Sequence, residues 1–234
     1  MSCFATIKLC YFVENEIMKP DYTSPDGRIR FYNCSYERLF EMGKTWDLAI
    51  VDPPYGIGAN KEKEHNGWKS YGIKEWDNEI PKPEYFKELF RVSKNQIIWG
   101  ANYMTEYLPP SMGWIMWDKG QRDFSLADGE LAFSSFKRAL RIFTYARAKA
   151  NRESKIHATQ KPIDLYKWLL HNYAKPNQSI IDTHGGSMSH AIAVHDVNIA
   201  LDMNLTLDIC EIDTDYFNDA VKRFKTHIAQ GQLF

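Results

Sequence analysis

Short apolar runs alternate with amphipathic stretches along the chain, the pattern of strands and helices packed in layers. Ile29-Arg30-Phe31-Tyr32-Asn33 alternates as a strand does, and Ser35 is placed to cap a short helix ending near Met42. Leu48-Ala49-Ile50-Val51 is a continuous apolar run, read as a buried parallel strand. Gln96-Ile97-Ile98-Trp99-Gly100 and Gly113-Trp114-Ile115-Met116-Trp117 read the same way. Ahead of Gln96, Phe86, Leu89, Phe90 and Val92 make one helical face, with Pro83 near its start. Residues 131–147 alternate as a hairpin or two strands at the far edge of the sheet. A helix carrying Leu165, Tyr166, Leu169 and Leu170 follows, then a strand, Ser179-Ile180-Ile181-Asp182, and a helix ending near His195. Residues 205–210 are a last strand, and Phe217, Ala220, Val221 and Phe224 face inward from a last helix. Residues 19–28, 56–78 and 118–129 read as loops, and residues 1–18 as an added strand, a short helix packed on the core or an oligomer contact. The sum is an α/β fold.

Composition narrows this little. With 234 residues, 44% hydrophobic and 25% charged, the chain suits one soluble domain with a sizeable core. A net charge of −1 provides no global attraction to nucleic acid, so any such attraction must be local. Cys3, Cys10, Cys34 and Cys210 form no Cys-x-x-Cys pair and no zinc spacing. They read as reduced thiols of a cytoplasmic protein, and no metal site is expected. The start lacks the basic region and clean apolar core of a signal peptide, and no apolar run is long enough to span a membrane.

The chemistry concentrates where the first buried strand stops. Asp52-Pro53-Pro54-Tyr55 follows Val51, and two prolines cannot continue a ladder, so a fixed turn falls at a strand's carboxyl end. That turn offers the Asp52 carboxylate, the Pro53 carbonyl and the Tyr55 ring. An exocyclic amino group of a base is a poor nucleophile, because its lone pair is delocalised into the ring. Two acceptors on its hydrogens would return electron density to nitrogen, and an aromatic ring would hold the base plane by stacking. An ordinary strand-ending Asp-Pro turn is the plainer reading of the same residues.

A second glycine-containing turn, Asp182-Thr183-His184-Gly185-Gly186-Ser187-Met188, joins a strand to a helix, as nucleotide-binding turns do. Glu211 ends the next strand, where an acid suits a ribose diol. Lys137, Arg138, Arg141, Arg147, Lys149 and Arg152 form a basic run with interleaved aromatics, read either as a solvated face or as phosphate contacts. Together, Asp52-Pro53-Pro54-Tyr55, His157-Ala158-Thr159-Gln160-Lys161-Pro162 and the glycine turn resemble the beta-ordered group of DNA amino-methyltransferases, in the form associated mainly with adenine N6. In that group the catalytic motif precedes the cofactor motif, as it does over residues 29–224 here.

The resemblance implies an S-adenosylmethionine-dependent methyltransferase fold of seven strands, one antiparallel, with helices on both faces and permuted motif order. It implies one domain over residues 1–234, with 56–78 as a lid and 118–156 as a short target-recognition region. Asp52, Pro53, Pro54 and Tyr55 would be catalytic. Thr159, Lys161, Asp182, His184, Gly185, Gly186, Ser187 and Glu211 would hold S-adenosylmethionine, with Lys161 facing its carboxylate. DNA is the implied partner, and a homodimer the implied assembly. Two departures stand out: His184 replaces an aromatic residue, and Met188 replaces a glycine near the cofactor. The expectation is that Met188→Gly leaves cofactor binding equal or better. Cytosine-N4 transfer and a catalytically inactive DNA-binding fold are the competing readings. The end, Gln230-Gly231-Gln232-Leu233-Phe234, also resembles peptides that dock on sliding clamps, although a frayed amphipathic tail is the plainer reading.

Overall fold

The structure is a computed structural model and describes residues 18–58, 77, 79–122, 127–150 and 160–231. Its strands are β1 (Tyr22–Thr23), β2 (Ile29–Tyr32), β3 (Trp46–Val51), β4 (Ser93–Trp99), β5 (Ile115–Asp118), β6 (Gly129–Ser134), β7 (Arg141–Thr144), β8 (Ser179–Asp182) and β9 (Thr206–Cys210). Its helices are α1 (Tyr36–Phe40), α2 (Pro83–Val92), α3 (Arg147–Ala150), α4 (Ile163–Tyr173), α5 (Ser189–Leu201) and α6 (Thr214–Gly231). The strands join one sheet in the order β1-β2-β9-β8-β3-β4-β6-β5-β7. Of these, β1 and β6 run antiparallel to their neighbours, and the rest are mutually parallel.

The α/β methyltransferase-type fold is therefore present, but the described sheet has nine strands rather than seven, and two antiparallel strands rather than one. The first addition, β1, lies in the segment expected to be a loop. It has no apolar run to betray it, and the tight turn from Ser24 to Gly27 folds it back on β2. Of the two readings of residues 131–147, the structure has two strands and not a hairpin. Strands β6 and β7 do not pair with each other, because β5 lies between them. Ala132 and Phe133 of β6 are buried, as an interior strand requires, whereas Arg141, Ile142 and Thr144 of β7 are exposed at the edge. Helix α1 stops at Phe40, and the Ser35 side chain makes no capping bond to it. Helix α5 continues beyond His195 to Leu201.

Alternation along the central strands feeds two cores, one on each face. Leu48, Ile50, Ile97, Trp99, Ile180 and Leu207 pack against α4, α5 and α6. Ala49, Val51, Ile98 and Ile181 face the other way, against Leu39 and Phe40 of α1 and Tyr85, Phe86 and Leu89 of α2. Burying both faces explains why these strands read as continuous apolar runs. From β8 the chain winds outward to β9, and from β3 it winds the opposite way to β4. The boundary between β8 and β3 is thus a topological switch point, and ligands of open α/β sheets bind at the carboxyl ends of the strands there.

Candidate functional site

Asp52 leaves the end of β3 and Asp182 ends β8, on neighbouring strands. Both the Asp52 turn and the glycine turn open into one cavity of about 770 Å³, lined also by Lys161, Tyr166, His184 and Glu211. The fold thereby brings together two motifs that the sequence separates by more than half its length.

The turn after β3 is held from outside by a residue that sequence reading passed over. The Asp77 carboxylate accepts the backbone N–H groups of Tyr55 (2.7 Å) and Gly56 (3.1 Å), and its carbonyl accepts that of Gly58 (3.0 Å). Asp77 is buried, so these are protected bonds. It stands at the far end of the long polar loop, where an acid alone is a weak signal. Pro53 is buried and Pro54 lines the cavity. The Tyr55 hydroxyl donates to Asp52 Oδ1 at 2.7 Å, while its ring stacks on Tyr103 at 5.5 Å and 19°. Gly100, which follows β4 with φ +67°, lets that ring approach its Cα.

Lys161 is nearly fully buried, and its ammonium donates to Asp52 Oδ2 (2.5 Å), Glu130 Oε2 (3.2 Å) and the Tyr55 hydroxyl (3.0 Å). The structure places Lys161 against protein carboxylates at the turn after β3, and Lys161 also lines the cavity into which the glycine turn opens. Glu130 also pairs with Lys119 at 2.7 Å. Burial disfavours the Glu130 charge, yet Lys161 and Lys119 hold its carboxyl down to about 2. Burial pushes the Asp52 carboxyl up, and Lys161 only partly offsets this. Burial also opposes the Lys161 charge, but Asp52 and Glu130 outweigh it and hold the ammonium above the ordinary lysine range. Sequence reading missed Glu130, which sat at the edge of an expected loop. Because β6 is antiparallel, its first residues arrive at the same end of the sheet as the last residues of its parallel neighbours.

The glycine turn is braced by Glu211, whose carboxylate accepts Gly186 N–H (2.8 Å) and Asp213 N–H (2.9 Å). Burial raises the Glu211 carboxyl above its usual range, with those two bonds working against it. A Cβ on Gly185 would sit 3.0 Å from Ile209 Cγ1, so the turn presses directly on β9. His184 lies among the rings of Tyr36 (5.7 Å) and Tyr85 (5.5 Å), and burial lowers its imidazole to about 4. At neutral pH it is an uncharged ring, which is what an aromatic position needs. Asp182 accepts His184 N–H and pairs with buried His190 at 2.9 Å.

Met188 adopts a left-handed conformation, φ 53°, at the position where the resemblance leads one to expect glycine. Its side chain, however, is fully buried in the core with Ala191 and Ile192 and does not line the cavity. The turn keeps its shape by carrying the strain of a non-glycine residue, roughly 1–2 kcal/mol, and the side chain contributes packing in return.

The basic run is divided. The Arg138 guanidinium donates to Asn172 O at 2.6 Å and lies over the Tyr173 ring, at the carboxyl end of α4. Lys161 precedes the other end of that helix, which is about 16 Å long, so Arg138 and Lys161 stand at opposite ends of α4. Lys137 is exposed in the same connection, and Arg141 begins β7. Arg147 and Lys149 lie on α3, beyond the end of β7, and Lys149 pairs with Asp164 at 3.8 Å. Several expected features lie outside the described residues: Arg152, Thr159, most of the proposed lid (59–76 and 78), residues 123–126 and 151–156 of the proposed recognition region, residues 1–17 and the tail from 232 to 234. No helix among the described residues is long and apolar enough to cross a membrane.

No protein-family model matches the chain, and no curated protein matches it in sequence. Solved structures do match in fold. The M1.HpyAVI–SAM complex is similar at 16% identity and TM-score 0.56, over 83% of this chain and 98% of that one. The PvuII DNA methyltransferase, cytosine-N4-specific, is similar at 12% identity and TM-score 0.60, over 88% and 89%. TTHA0409 from Thermus thermophilus, a putative DNA modification methylase complexed with S-adenosyl-L-methionine, is similar at 13% identity and TM-score 0.52, over 85% and 93%.

Proposed function

We propose that the protein transfers a methyl group from S-adenosylmethionine to the exocyclic N6 of adenine in DNA. The observation that carries this reading is the shared cavity: a strand-end carboxylate, Asp52, opens onto the same space as a braced glycine turn and Glu211. The cavity suits that cofactor chemically. It offers carboxylates for hydroxyl and ammonium groups, an uncharged aromatic wall at His184 and Tyr166, and the amino end of the 13-residue α5. Nucleotide-type ligands use such turns because backbone N–H groups and a helix amino end face them. The fold shared with the cytosine-N4-specific PvuII DNA methyltransferase, and with two structures that hold S-adenosylmethionine, supports the same reading.

Bound S-adenosylmethionine would supply a methyl group on a positive sulfur, open to in-line attack. The work of the chain is then positioning and electrostatics. Asp52 accepts a hydrogen of the amino group, and the Pro53 carbonyl is the second proposed acceptor. Each raises electron density on nitrogen and stabilises the positive charge that develops there as the methyl group arrives. Asp52 need not be a strong base, since the amine becomes acidic only in the course of transfer. The base must leave the duplex to reach this turn, at a cost of a few kcal/mol. Because the Tyr55 ring already rests on Gly100 and Tyr103, any stacking by Tyr55 uses the ring face left over. Residues 56–78 are proposed to cover the base, and Arg147, Lys149 and Arg152 to meet phosphates.

Cytosine N4 is the second reading, favoured by the likeness to the cytosine-N4-specific PvuII enzyme. The acceptors suit either amine; the aspartate at position 52 supports adenine, because cytosine-N4 enzymes more often carry serine there. Transfer of labelled methyl from S-adenosylmethionine to unmethylated DNA of mixed sequence, followed by nucleoside identification, separates the cases. N6-methyladenine is expected. N4-methylcytosine selects the second reading, and no transfer with retained DNA binding selects the inactive fold.

A further inference from the structure

We infer that Glu130 is a positioning residue: it shares the Lys161 ammonium with Asp52 and draws it away when a substrate amino group approaches. This rests on the methyltransferase reading.

Two requirements conflict in the site. Methyl transfer places positive charge on the attacking nitrogen, yet the carboxylate meant to stabilise that charge is ion-paired to Lys161 at 2.5 Å. A lysine fixed there would cancel the field of Asp52 and repel the developing charge. The Lys161 ammonium has three protons, and three acceptors surround it: Asp52, Glu130 and the Tyr55 hydroxyl. Its distances to the two carboxylates differ by less than an ångström, 2.5 Å against 3.2 Å. A small movement of a flexible stem over the Trp99 ring (5.4 Å) reverses the preference without breaking the cluster.

Glu130 is built to receive the cation. It stands on a buried interior strand in register with Trp117, and Lys119 fixes it from the other side at 2.7 Å. With Asp52, Glu130, Lys119 and Lys161 all charged, the cluster is neutral as a whole. Moving Lys161 toward Glu130 leaves that balance intact and exposes negative charge at Asp52 alone. The groups facing Asp52 are Tyr55 from its own turn, Lys161 ahead of α4, Tyr166 on α4, and Glu130 on β6 with Lys119 behind it. Among these, Lys161 lowers the Asp52 carboxyl and Glu130 raises it.

The test uses the full-length protein with Glu130→Gln, which keeps shape and removes charge, and Glu130→Asp, which keeps charge. The first measurement is a carbon-13 carboxyl titration of Asp52, assigned through Asp52→Asn, and it needs no turnover. In Glu130→Gln the Asp52 midpoint is expected to fall, because a negative neighbour is gone and Lys161 belongs to Asp52 alone. An unmoved midpoint overturns the inference. The second is methyl transfer to DNA. Glu130→Gln is expected to lower kcat by roughly 10²-fold, the scale of a misplaced catalytic group, with KM and cofactor affinity unchanged. The acid limb of its kcat profile should move down in pH with Asp52, and Glu130→Asp should restore part of the rate. Wild-type kcat in Glu130→Gln, or a Glu130→Asp protein no faster than Glu130→Gln, overturns the positioning role. A wild-type protein that methylates no DNA overturns the methyltransferase reading instead, and the Asp52 titration then still decides whether Glu130 and Asp52 share Lys161.

Discussion

The ring of Tyr55 lies against the Cα of Gly100, so closely that a Cβ there would stand 2.1 Å from Tyr55 Cε1. Gly100 also has φ +67°, unfavourable for any residue with a side chain. Gly100→Ala is therefore expected to lose about 2 kcal/mol or more, from strain and from displacement of the ring. Because the displaced ring carries the hydroxyl bonded to Asp52, kcat should fall more than cofactor affinity. Denaturant unfolding, calorimetry and a transfer assay on one preparation check the three quantities; unchanged kcat would remove Tyr55 from the catalytic turn.

Asp52→Ala is expected to abolish methyl transfer while leaving cofactor affinity within a few-fold. Lys161 retains Glu130 as a partner, so the buried ammonium is not orphaned and the fold should survive. Residual transfer at the wild-type rate would dismiss the proposed chemistry.

Met188→Gly tests two opposed effects. Glycine relieves the left-handed backbone, roughly 1–2 kcal/mol, but it empties a fully buried site in the core. Removal of a buried methionine side chain costs about 2–5 kcal/mol, so net destabilisation is expected. Cofactor affinity should change little at temperatures where the variant is folded, because the side chain does not line the cavity. Increased stability on thermal unfolding would show the strain to be the larger effect.

His184 supplies a pH dependence. Burial lowers its folded-state pKa to about 4, below the ordinary histidine value of about 6.5. Between these values the unfolded chain binds the proton more tightly. The stability due to the neutral imidazole is fully present above about pH 6.5 and is lost as pH falls toward 4, at no more than about 1.4 kcal/mol per pH unit. His184→Phe should flatten that part of the stability curve between pH 4 and 6.5 and keep cofactor affinity at pH 7.5. Parallel curves for the two proteins would mean that His184 is protonated in the folded state.

Arg138 separates fold from DNA contact. Its guanidinium closes the carboxyl end of α4 and covers Tyr173. Arg138→Ala is expected to lower stability by about 1 kcal/mol and to leave DNA affinity within twofold. Lys149→Ala should do the reverse, weakening DNA binding and flattening its salt dependence. Fluorescence anisotropy at two salt concentrations with each variant gives the comparison. A large loss of DNA affinity in Arg138→Ala alone would restore it to the phosphate-binding surface.

Much was legible in the order of residues alone. Apolar runs such as Leu48–Val51 and Ile97–Trp99 marked the central strands, because strands buried on both faces must be apolar throughout. The prolines after Asp52 marked where a strand stops and thus where a ligand-facing turn begins. Local chemistry of this kind depends on neighbours in the chain, so the chain displays it. The position of Glu130 does not. It enters the site only because β6 runs antiparallel between two parallel strands, a fact of pairing that no local pattern records. The same is true of Arg138, one member of the basic run, which ends up at the opposite end of α4 from Lys161. It is true of Met188 as well, whose side chain the fold buries in the core. Sequence by itself determined the central strands, the turns that end them and the chemical groups they carry. Tertiary structure alone decided which charges meet, because burial and strand pairing bring together groups that sequence distance keeps apart.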